Sequence, residues 1–246
     1  MITLQRAEVP ARVPGWNPVE KIAFAAFIIW TAAGLIFTIG RISPDTVAQW
    51  PIPDWLARFV DLCLQYGDPI LIFLAFANTH LHAARQWKPS IARNWGFIVI
   101  VTAFGIETAG ALIGFPFGDY HYTENFGPML GVVPLAIPLA WHVVVTNALF
   151  IARIVAPGDS PAIEAVLAGL LCTAYDFVLE PFATSVKHYW IWADGAPPLL
   201  NYVTWFVLSS LLVRLFAPAL ITRHRLDLRP VLILSLTIAI FVAGEL

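Results

Sequence analysis

Three carboxyl groups that fall inside apolar stretches of the sequence are the residues best suited to chemistry. Glu107 lies in one such stretch, and Asp176 and Glu180 lie in another. The spacing of four residues places Asp176 and Glu180 on one face of a helix. Neighbouring carboxyl groups in a low-dielectric environment cannot all carry charge, because burial and like-charge repulsion favour the neutral form. We therefore expect this set to supply both a neutral acid and a base for proton transfer.

Other polar and aromatic residues are predicted to lie at a similar depth in a membrane. Asn201 begins a later apolar stretch, and Tyr120 and Tyr122 belong to a polar connecting segment. Trp141 and Trp205 have ring faces that can stabilise a positively charged intermediate, although tryptophans in membrane proteins more often anchor helices at the interface. The alternative for the whole set is a structural polar network that locks helices together.

The composition indicates that the elements holding these residues are membrane helices. Of the 246 residues, 59% are hydrophobic and 12% are charged, and the mean hydropathy is +0.76. Soluble domains carry about 25% charged residues, so this chain has too little charge to cover a water-facing surface. The net charge of −2 gives no electrostatic basis for binding nucleic acid. The two cysteines fall in separate apolar stretches and suggest neither a disulfide framework nor a metal-binding motif.

Seven stretches are predicted as membrane-spanning helices, since a span needs about 20 mostly apolar residues. They are Lys21–Gly40, Leu64–Ala84, Trp95–Gly114, Leu130–Ile154, Ala162–Leu179, Leu199–Leu220 and Pro230–Leu246. Two tryptophan-containing segments, Asp54–Asp61 and Phe182–Trp192, are predicted as interfacial helices. The sequence thus predicts an all-α polytopic bundle of about seven helices, multi-pass in the cell membrane. Residues 1–20 are predicted as a cytoplasmic segment without a cleavable signal peptide, and residues 21–246 as one transmembrane domain.

The distribution of lysine and arginine predicts the orientation of this bundle. With the N-terminus inside, the following residues fall on the inner side: Arg6, Arg12, Lys21, Arg85, Lys88, Arg93, Arg153, Arg214, Arg223, Arg225 and Arg229. Only Arg41, Arg58 and Lys187 fall outside. This positive-inside bias places the C-terminus outside and the candidate site near the outer face. A GxxxG step at Gly110 and Gly114 predicts close helix packing.

The sequence disfavours several other classes of membrane protein. A retinal protein needs a lysine deep in its last helix, and all lysines here lie near helix ends or in loops. A membrane di-iron oxygenase needs clustered histidine boxes, whereas only His80 and His82 are neighbours, on different helix faces. A magnesium-dependent prenyltransferase would show paired aspartate-rich motifs, which Asp176 with Glu180 matches poorly. No metal site is predicted.

A set of ordered motifs resembles those of the membrane-bound carotenoid biosynthesis protein family. They are Gly105-Ile-Glu107-Thr-Ala-Gly110, Gly114-Phe-Pro-Phe-Gly118-Asp-Tyr120-His-Tyr122, Gly131-Val-Val-Pro134-Leu-Ala-Ile-Pro138-Leu-Ala-Trp141, Asp176-Phe-Val-Leu-Glu180-Pro181 and Pro198-Leu-Leu-Asn201-Tyr-Val-Thr-Trp205. The resemblance covers Asn78 to Trp205. The family's known members include carotenoid 1',2'-hydratases and bisanhydrobacterioruberin hydratase. The resemblance therefore implies addition of water to the terminal C=C bond of an acyclic (ψ) carotenoid end group, giving a tertiary alcohol without a redox cofactor.

The resemblance implies a long polyene as substrate and the lipid bilayer as surroundings. It assigns no roles to individual residues, so the division of roles that we expect comes from what the hydration of an alkene requires: a neutral acid, a stabilised carbocation and a positioned water molecule. Asp176 or Glu107 is the expected proton donor, while Glu180 and Asn201 hold and deprotonate a water molecule. The two tyrosines orient a carboxyl group or cap the pocket, and one of the two tryptophans faces the carbocation. Two alternatives stay open: an end-group cyclase or isomerase, and a non-catalytic carotenoid- or lipid-binding membrane protein.

Overall fold

The computed structural model describes residues 15–156, 160–217 and 227–246, and within these ranges the chain is predominantly helical. The helices are α1 (Pro18–Ile39), α2 (Pro44–Val47), α3 (Asp54–Gln86), α4 (Pro89–Ile113), α5 (Ala136–Val155), α6 (Pro161–Pro181), α7 (Leu199–Phe216) and α8 (Arg229–Glu245). The short elements are β1 (Tyr120–Tyr122), a 3₁₀ turn (Glu124–Phe126), β2 (Met129–Leu130), β3 (Val133–Pro134), a π-helical turn (Phe182–Val186) and β4 (Trp190–Trp192). The predicted all-α polytopic bundle is confirmed.

Six of the described helices are long and apolar enough to cross a membrane. They are α1, α3, α4, α5, α6 with the π-helical turn, and α7. The seventh predicted span corresponds to α8, which has 17 residues. At 1.5 Å per residue, α8 is about 26 Å long, shorter than the roughly 30 Å thickness of a bilayer core. Seven spans with the C-terminus outside therefore stay a prediction.

Some predictions made from the sequence fall on residues that the structure does not describe. Four arginines predicted for the inner side lie there: Arg6, Arg12, Arg223 and Arg225. Most of the predicted cytoplasmic segment 1–20 and the end of the predicted span Leu199–Leu220 also lie outside the described residues.

Both segments predicted as interfacial helices have a different structure. Asp54–Asp61 is the first part of α3, which continues unbroken for 33 residues, because no helix breaker separates this segment from the apolar stretch after it. Phe182–Trp192 extends α6 by a π-helical turn and then forms β4. The predicted span Leu130–Ile154 also starts late, since its first residues form the β2–β3 hairpin. In that hairpin Gly131 adopts a positive φ of 63°, a conformation that glycine accepts without strain.

Helix α5 lies at the centre of the bundle. In its most apolar part 78% of the residues are buried, against 33% or less in the other five candidate spans. Buried polar pairs join α5 to its neighbours. Asn147 Nδ2 donates to Thr79 Oγ1 of α3 at 2.8 Å, and Trp95 Nε1 of α4 donates to Thr146 Oγ1 at 2.9 Å. These pairs fix α3 and α4 against α5, the structural role that polar side chains often have between membrane helices.

Four charged side chains join three helices at one end of the bundle. Glu20 lies in the first turn of α1, Arg85 in the last turn of α3, and Asp227 and Arg229 at the start of α8. Asp227 Oδ2 lies 2.5 Å from Arg85 Nη2 and 2.7 Å from Arg229 Nη2, and Arg85 Nε lies 3.3 Å from Glu20 Oε1. These opposite charges pair in a partly buried setting, because an unpaired charge that has lost its water would be strongly destabilising.

Candidate active site

A cavity lies among the ends of four helices and the β1–β4 strand pair. Its volume of about 50 Å³ is enough for a few water molecules. It is lined by Glu107, Phe117, Tyr120, Tyr122, Ile137, Ala140, Trp141, Asp176, Leu179, Glu180, Trp190, Trp192, Asn201 and Trp205. α4 and α6 contribute residues near their C-terminal ends, and α5 and α7 near their N-terminal ends. All residues that the sequence analysis assigned to the site line this cavity, while their chemical roles stay predictions.

Glu107 accepts hydrogen bonds from three side chains. Tyr120 and Tyr122 donate their hydroxyls to Oε2 at 2.6 and 2.7 Å, and Trp141 Nε1 donates to Oε1 at 2.7 Å. The glutamate is 5% exposed, so these donors replace the water that would otherwise solvate it. A charged carboxylate fits this arrangement, because its oxygens act only as acceptors.

The two tyrosines on β1 are suited to act as donors. Burial raises the pKa of Tyr120, and the negative charge of Glu107 raises it further. The same two causes, in the same order, raise the pKa of Tyr122 well above its ordinary value. Both phenols therefore keep their protons at neutral pH and stay available to Glu107.

Asp176 and Glu180 form a second acidic group on one face of α6. Asn201 Nδ2, at the start of α7, donates to Asp176 Oδ2 at 2.7 Å and to Glu180 Oε1 at 3.4 Å, so one amide bridges both carboxyl groups. Glu180 Oε2 also accepts from Trp190 Nε1 at 3.2 Å and Trp192 Nε1 at 3.0 Å. Among the described residues only Asn201 donates to Asp176, which makes Asp176 the least satisfied of the three carboxyl groups.

Strands β1 and β4 form a two-stranded antiparallel ribbon beside the cavity. Its two outer residue pairs each join a tyrosine to a tryptophan, Tyr120 with Trp192 and Tyr122 with Trp190. Side chains alternate between the two faces of a strand, so the middle pair, His121 and Ile191, points away, and Ile191 is 45% exposed. The register of the ribbon therefore directs four donor side chains at the cavity.

Trp190 and Trp192 are cavity residues that the sequence analysis missed, since both were assigned to an interfacial helix. A sequence signal for them exists. The segments Tyr120–Tyr122 and Trp190–Trp192 both place large aromatic residues at every second position, which is the period of a strand and not of a helix.

Trp141 and Trp205 form a parallel stack at the cavity wall. Their ring centroids are 3.8 Å apart with an interplanar angle of 5°. They are 1% and 8% exposed, so neither resembles a tryptophan that only anchors a helix at the interface. Because Trp141 also donates to Glu107, the stack places aromatic rings beside a carboxylate.

The charged side chains of the cavity wall are all acidic. Among the described residues that line the cavity, three carry carboxyl groups and none is Lys, Arg or His. Within the described part of the chain, no three His, Cys, Asp or Glu side chains are grouped in a way that could hold a metal ion.

Gly110 and Gly114 serve a different purpose from the predicted close packing between helices. A Cβ on Gly110 would lie 2.7 Å from Phe117 Cδ2 and 2.8 Å from Tyr120 Oη. Gly114 ends α4 with φ 70°, a left-handed cap, and a Cβ there would overlap the Asp119 carboxylate. Both glycines let the segment that leads into β1 lie close against α4, which brings Tyr120 to Glu107.

Gly110→Ala is expected to destabilise the protein by about 1–3 kcal/mol, as overpacking of a close contact does, and to lower activity by displacing Tyr120. Gly105→Ala is the matched control, since it lies in the same helix and a Cβ there would meet nothing within 4 Å. Thermal unfolding of both variants in detergent measures the effect. Equal unfolding temperatures for the two variants would contradict the packing role of Gly110.

Comparisons with known proteins identify the family. The model of the family described as carotenoid biosynthesis protein matches residues 67–244. Bisanhydrobacterioruberin hydratase from Haloarcula japonica is 29% identical over 196 residues, which cover 76% of this chain and 64% of that protein. The chain thus spans less than two thirds of the length of this relative. No solved structure matches the chain. The family match covers most of the chain and every residue that lines the cavity, so the chain belongs to the carotenoid biosynthesis protein family.

Proposed function

We propose that this protein is a carotenoid hydratase, which adds water across the terminal C=C bond of an acyclic carotenoid end group. The gathering of Glu107, Asp176 and Glu180 from two helices around one small cavity carries the proposal. Hydration of an alkene needs an acid, a base and a positioned water molecule, and these residues can supply all three. Similarity to a protein named bisanhydrobacterioruberin hydratase supports the hydro-lyase class.

The charge of the cavity favours a neutral, apolar substrate. A lipid that carries a diphosphate or carboxylate would meet several acidic groups in a low-dielectric site, where repulsion is strong. The aliphatic and aromatic part of the lining includes Phe117, Ile137 and Leu179, which suits a hydrocarbon end group. The rest of a long polyene can lie along the helices in lipid.

We assign the donation of the proton to Asp176. Glu107 and Glu180 each accept three hydrogen bonds, which stabilise them as carboxylates, whereas Asp176 accepts one from Asn201. A further unpaired charge beside Glu180 would be unfavourable in a buried site. The O–H bond of Asp176 breaks as a C–H bond forms at the less substituted carbon of the double bond. The π electrons form this bond and leave a tertiary carbocation on the other carbon.

The carbocation is stabilised by the aromatic stack and by Glu107. A cation over an indole face is stabilised by about 2 kcal/mol when desolvated, which corresponds to more than a tenfold change in rate. Trp141 and Trp205 both line the cavity, and Glu107 adds a fixed negative charge that its three donors hold in place. Preorganised charge of this kind is often the largest contribution to catalysis.

Glu180 and Asn201 position the water that captures the carbocation. The water oxygen forms the new C–O bond and passes a proton to Glu180. Asn201 bridges Glu180 and Asp176, so the proton has only a short distance to return to Asp176. One water molecule is consumed, both carboxyl groups are regenerated, and the electrons balance without an oxidant or reductant.

The protein is a multi-pass membrane protein, and we place it in the cell membrane with residues 21–246 as one transmembrane domain and the N-terminus inside. In this orientation the cavity lies near the outer face, where water reaches it from one side. The end group of the polyene then comes to the cavity from the lipid, so the two reactants arrive by different routes.

Expression in a host that makes lycopene or γ-carotene tests the proposed function. We expect a more polar carotenoid, heavier than its precursor by one molecule of water, when the host grows without oxygen. A product of unchanged mass with a ring at its end group would instead support end-group cyclisation. Unchanged carotenoid that copurifies with folded protein would support a carotenoid-binding protein. Either result would overturn hydration.

A further inference from the structure

Each strand of the ribbon donates hydrogen bonds to a different carboxylate. Both inward side chains of β1 donate to Glu107, and both inward side chains of β4 donate to Glu180. The strands pair so that each tyrosine lies opposite a tryptophan. The ring centroids are 5.0 Å apart for Tyr120 and Trp192, and 6.0 Å apart for Tyr122 and Trp190.

The helices that carry the two carboxylates do not pack side by side. Glu107 lies on α4 and Glu180 on α6, and α5 packs against both helices from between them. α4 and α6 make few contacts with each other, so direct packing between them contributes little to the distance from one carboxylate to the other. The ribbon spans this separation, because it donates hydrogen bonds to both.

The backbone around the ribbon holds its register. Beyond the paired residues, Thr123 N donates to Tyr189 O and Ala193 N donates to Asp119 O, both at 2.9 Å. The Tyr189 hydroxyl donates to Asp68 Oδ2 on α3 at 2.5 Å, which ties the start of β4 to the bundle. A slip of one residue in either strand would turn the two donors of that strand away from the cavity.

We propose that the β1–β4 ribbon sets the position of Glu107 relative to Glu180, with Trp190 and Trp192 as positioning residues that act through Glu180. This inference rests on the proposed hydration, in which Glu180 takes a proton from water while Glu107 stabilises the carbocation. The two steps need the carboxylates at a fixed separation around one end group, since misplacement lowers the rate steeply.

A double-mutant cycle between Trp192→Phe and Tyr120→Phe tests this coupling. Each substitution removes one donor to a charged group and is expected to lower kcat about 10- to 100-fold, with a smaller change in KM. Because both donors act through one ribbon, the double variant is expected to lose clearly less than the product of the single losses. Ile191→Ala, on the outward face of β4, is the matched control and keeps the wild-type kcat. Fully multiplicative losses, or single variants with wild-type kcat, would overturn the coupling.

An infrared measurement separates this inference from the proposed function, because it needs no turnover. The carboxylate band of Glu180 is assigned by difference with Glu180→Gln. We expect Trp192→Phe to shift this band and Ile191→Ala to leave it unchanged. If Trp192→Phe does not fold, Trp190→Phe removes the other donor to the same oxygen and is measured instead. A shifted band without hydration in any variant would overturn the function alone, and an unchanged band would overturn the positioning role.

Discussion

Asp176→Asn is expected to lower the rate of hydration by about 10²–10⁴-fold, the usual contribution of a general acid. An amide cannot donate a proton to an alkene, yet it has nearly the shape of the carboxyl group. In the wild-type protein Asn201 Nδ2 donates to Asp176 Oδ2 at 2.7 Å. The amide oxygen of the variant can accept the same hydrogen bond. The fold should therefore survive. The measurement is the initial rate with a ψ-end carotenoid in detergent, normalised to folded protein.

Asp194→Asn is the matched control for this variant. Asp194 follows β4, is exposed, and does not line the cavity, so the same change of a carboxyl group to an amide should leave the rate unchanged. A rate within tenfold of wild type for Asp176→Asn would contradict its role as donor and would leave Glu107 as the next candidate.

Glu107→Gln is expected to lower the rate about 10²–10³-fold, the loss seen when a preorganised stabilising group is removed, while the protein stays folded. The amide oxygen can accept from Trp141, and the amide nitrogen can donate to Tyr120 and Tyr122, because hydroxyl groups also accept. The substitution thus removes the negative charge and keeps the hydrogen bonds. Rate and unfolding temperature, measured on the same preparation, separate the two effects.

Glu107→Ala provides the contrast. It leaves the Trp141 N–H and both hydroxyls without their acceptor in a buried site, which costs about 1–3 kcal/mol for an unsatisfied group, so stability should fall together with activity. If Glu107→Gln kept the wild-type rate, Glu107 would only anchor the ribbon. The structural polar network considered in the sequence analysis would then be the better account of this residue.

The gathering of the carboxyl groups is the part of the site that the sequence could predict. Ionisable residues are costly within spans, so Glu107, Asp176 and Glu180 stand out without any structure. The alternation of spans across the membrane then assigns them to one side. The helical periodicity that places Asp176 and Glu180 on one face is local, and α6 has it.

The ribbon could not be predicted by the same reasoning. Its strands have three residues each and lie some 70 positions apart in the chain, so their pairing depends on the fold around them. A short tryptophan-rich segment after a span also has the composition of an interfacial helix. Likewise, the contact of Gly110 with Phe117 and Tyr120 is a tertiary contact, and the GxxxG spacing alone favours a helix partner.

Isotope labelling of the product tests the addition of water most directly. The reaction is run without O₂ in water enriched in both ¹⁸O and deuterium, with purified protein and a carotenoid that has an acyclic end group. The account predicts that each new hydroxyl carries ¹⁸O and that one non-exchangeable deuterium appears on the neighbouring carbon. A hydroxylated product that forms only when O₂ is admitted and that carries neither ¹⁸O nor deuterium, or deuterium in a cyclised product without added oxygen, would contradict it.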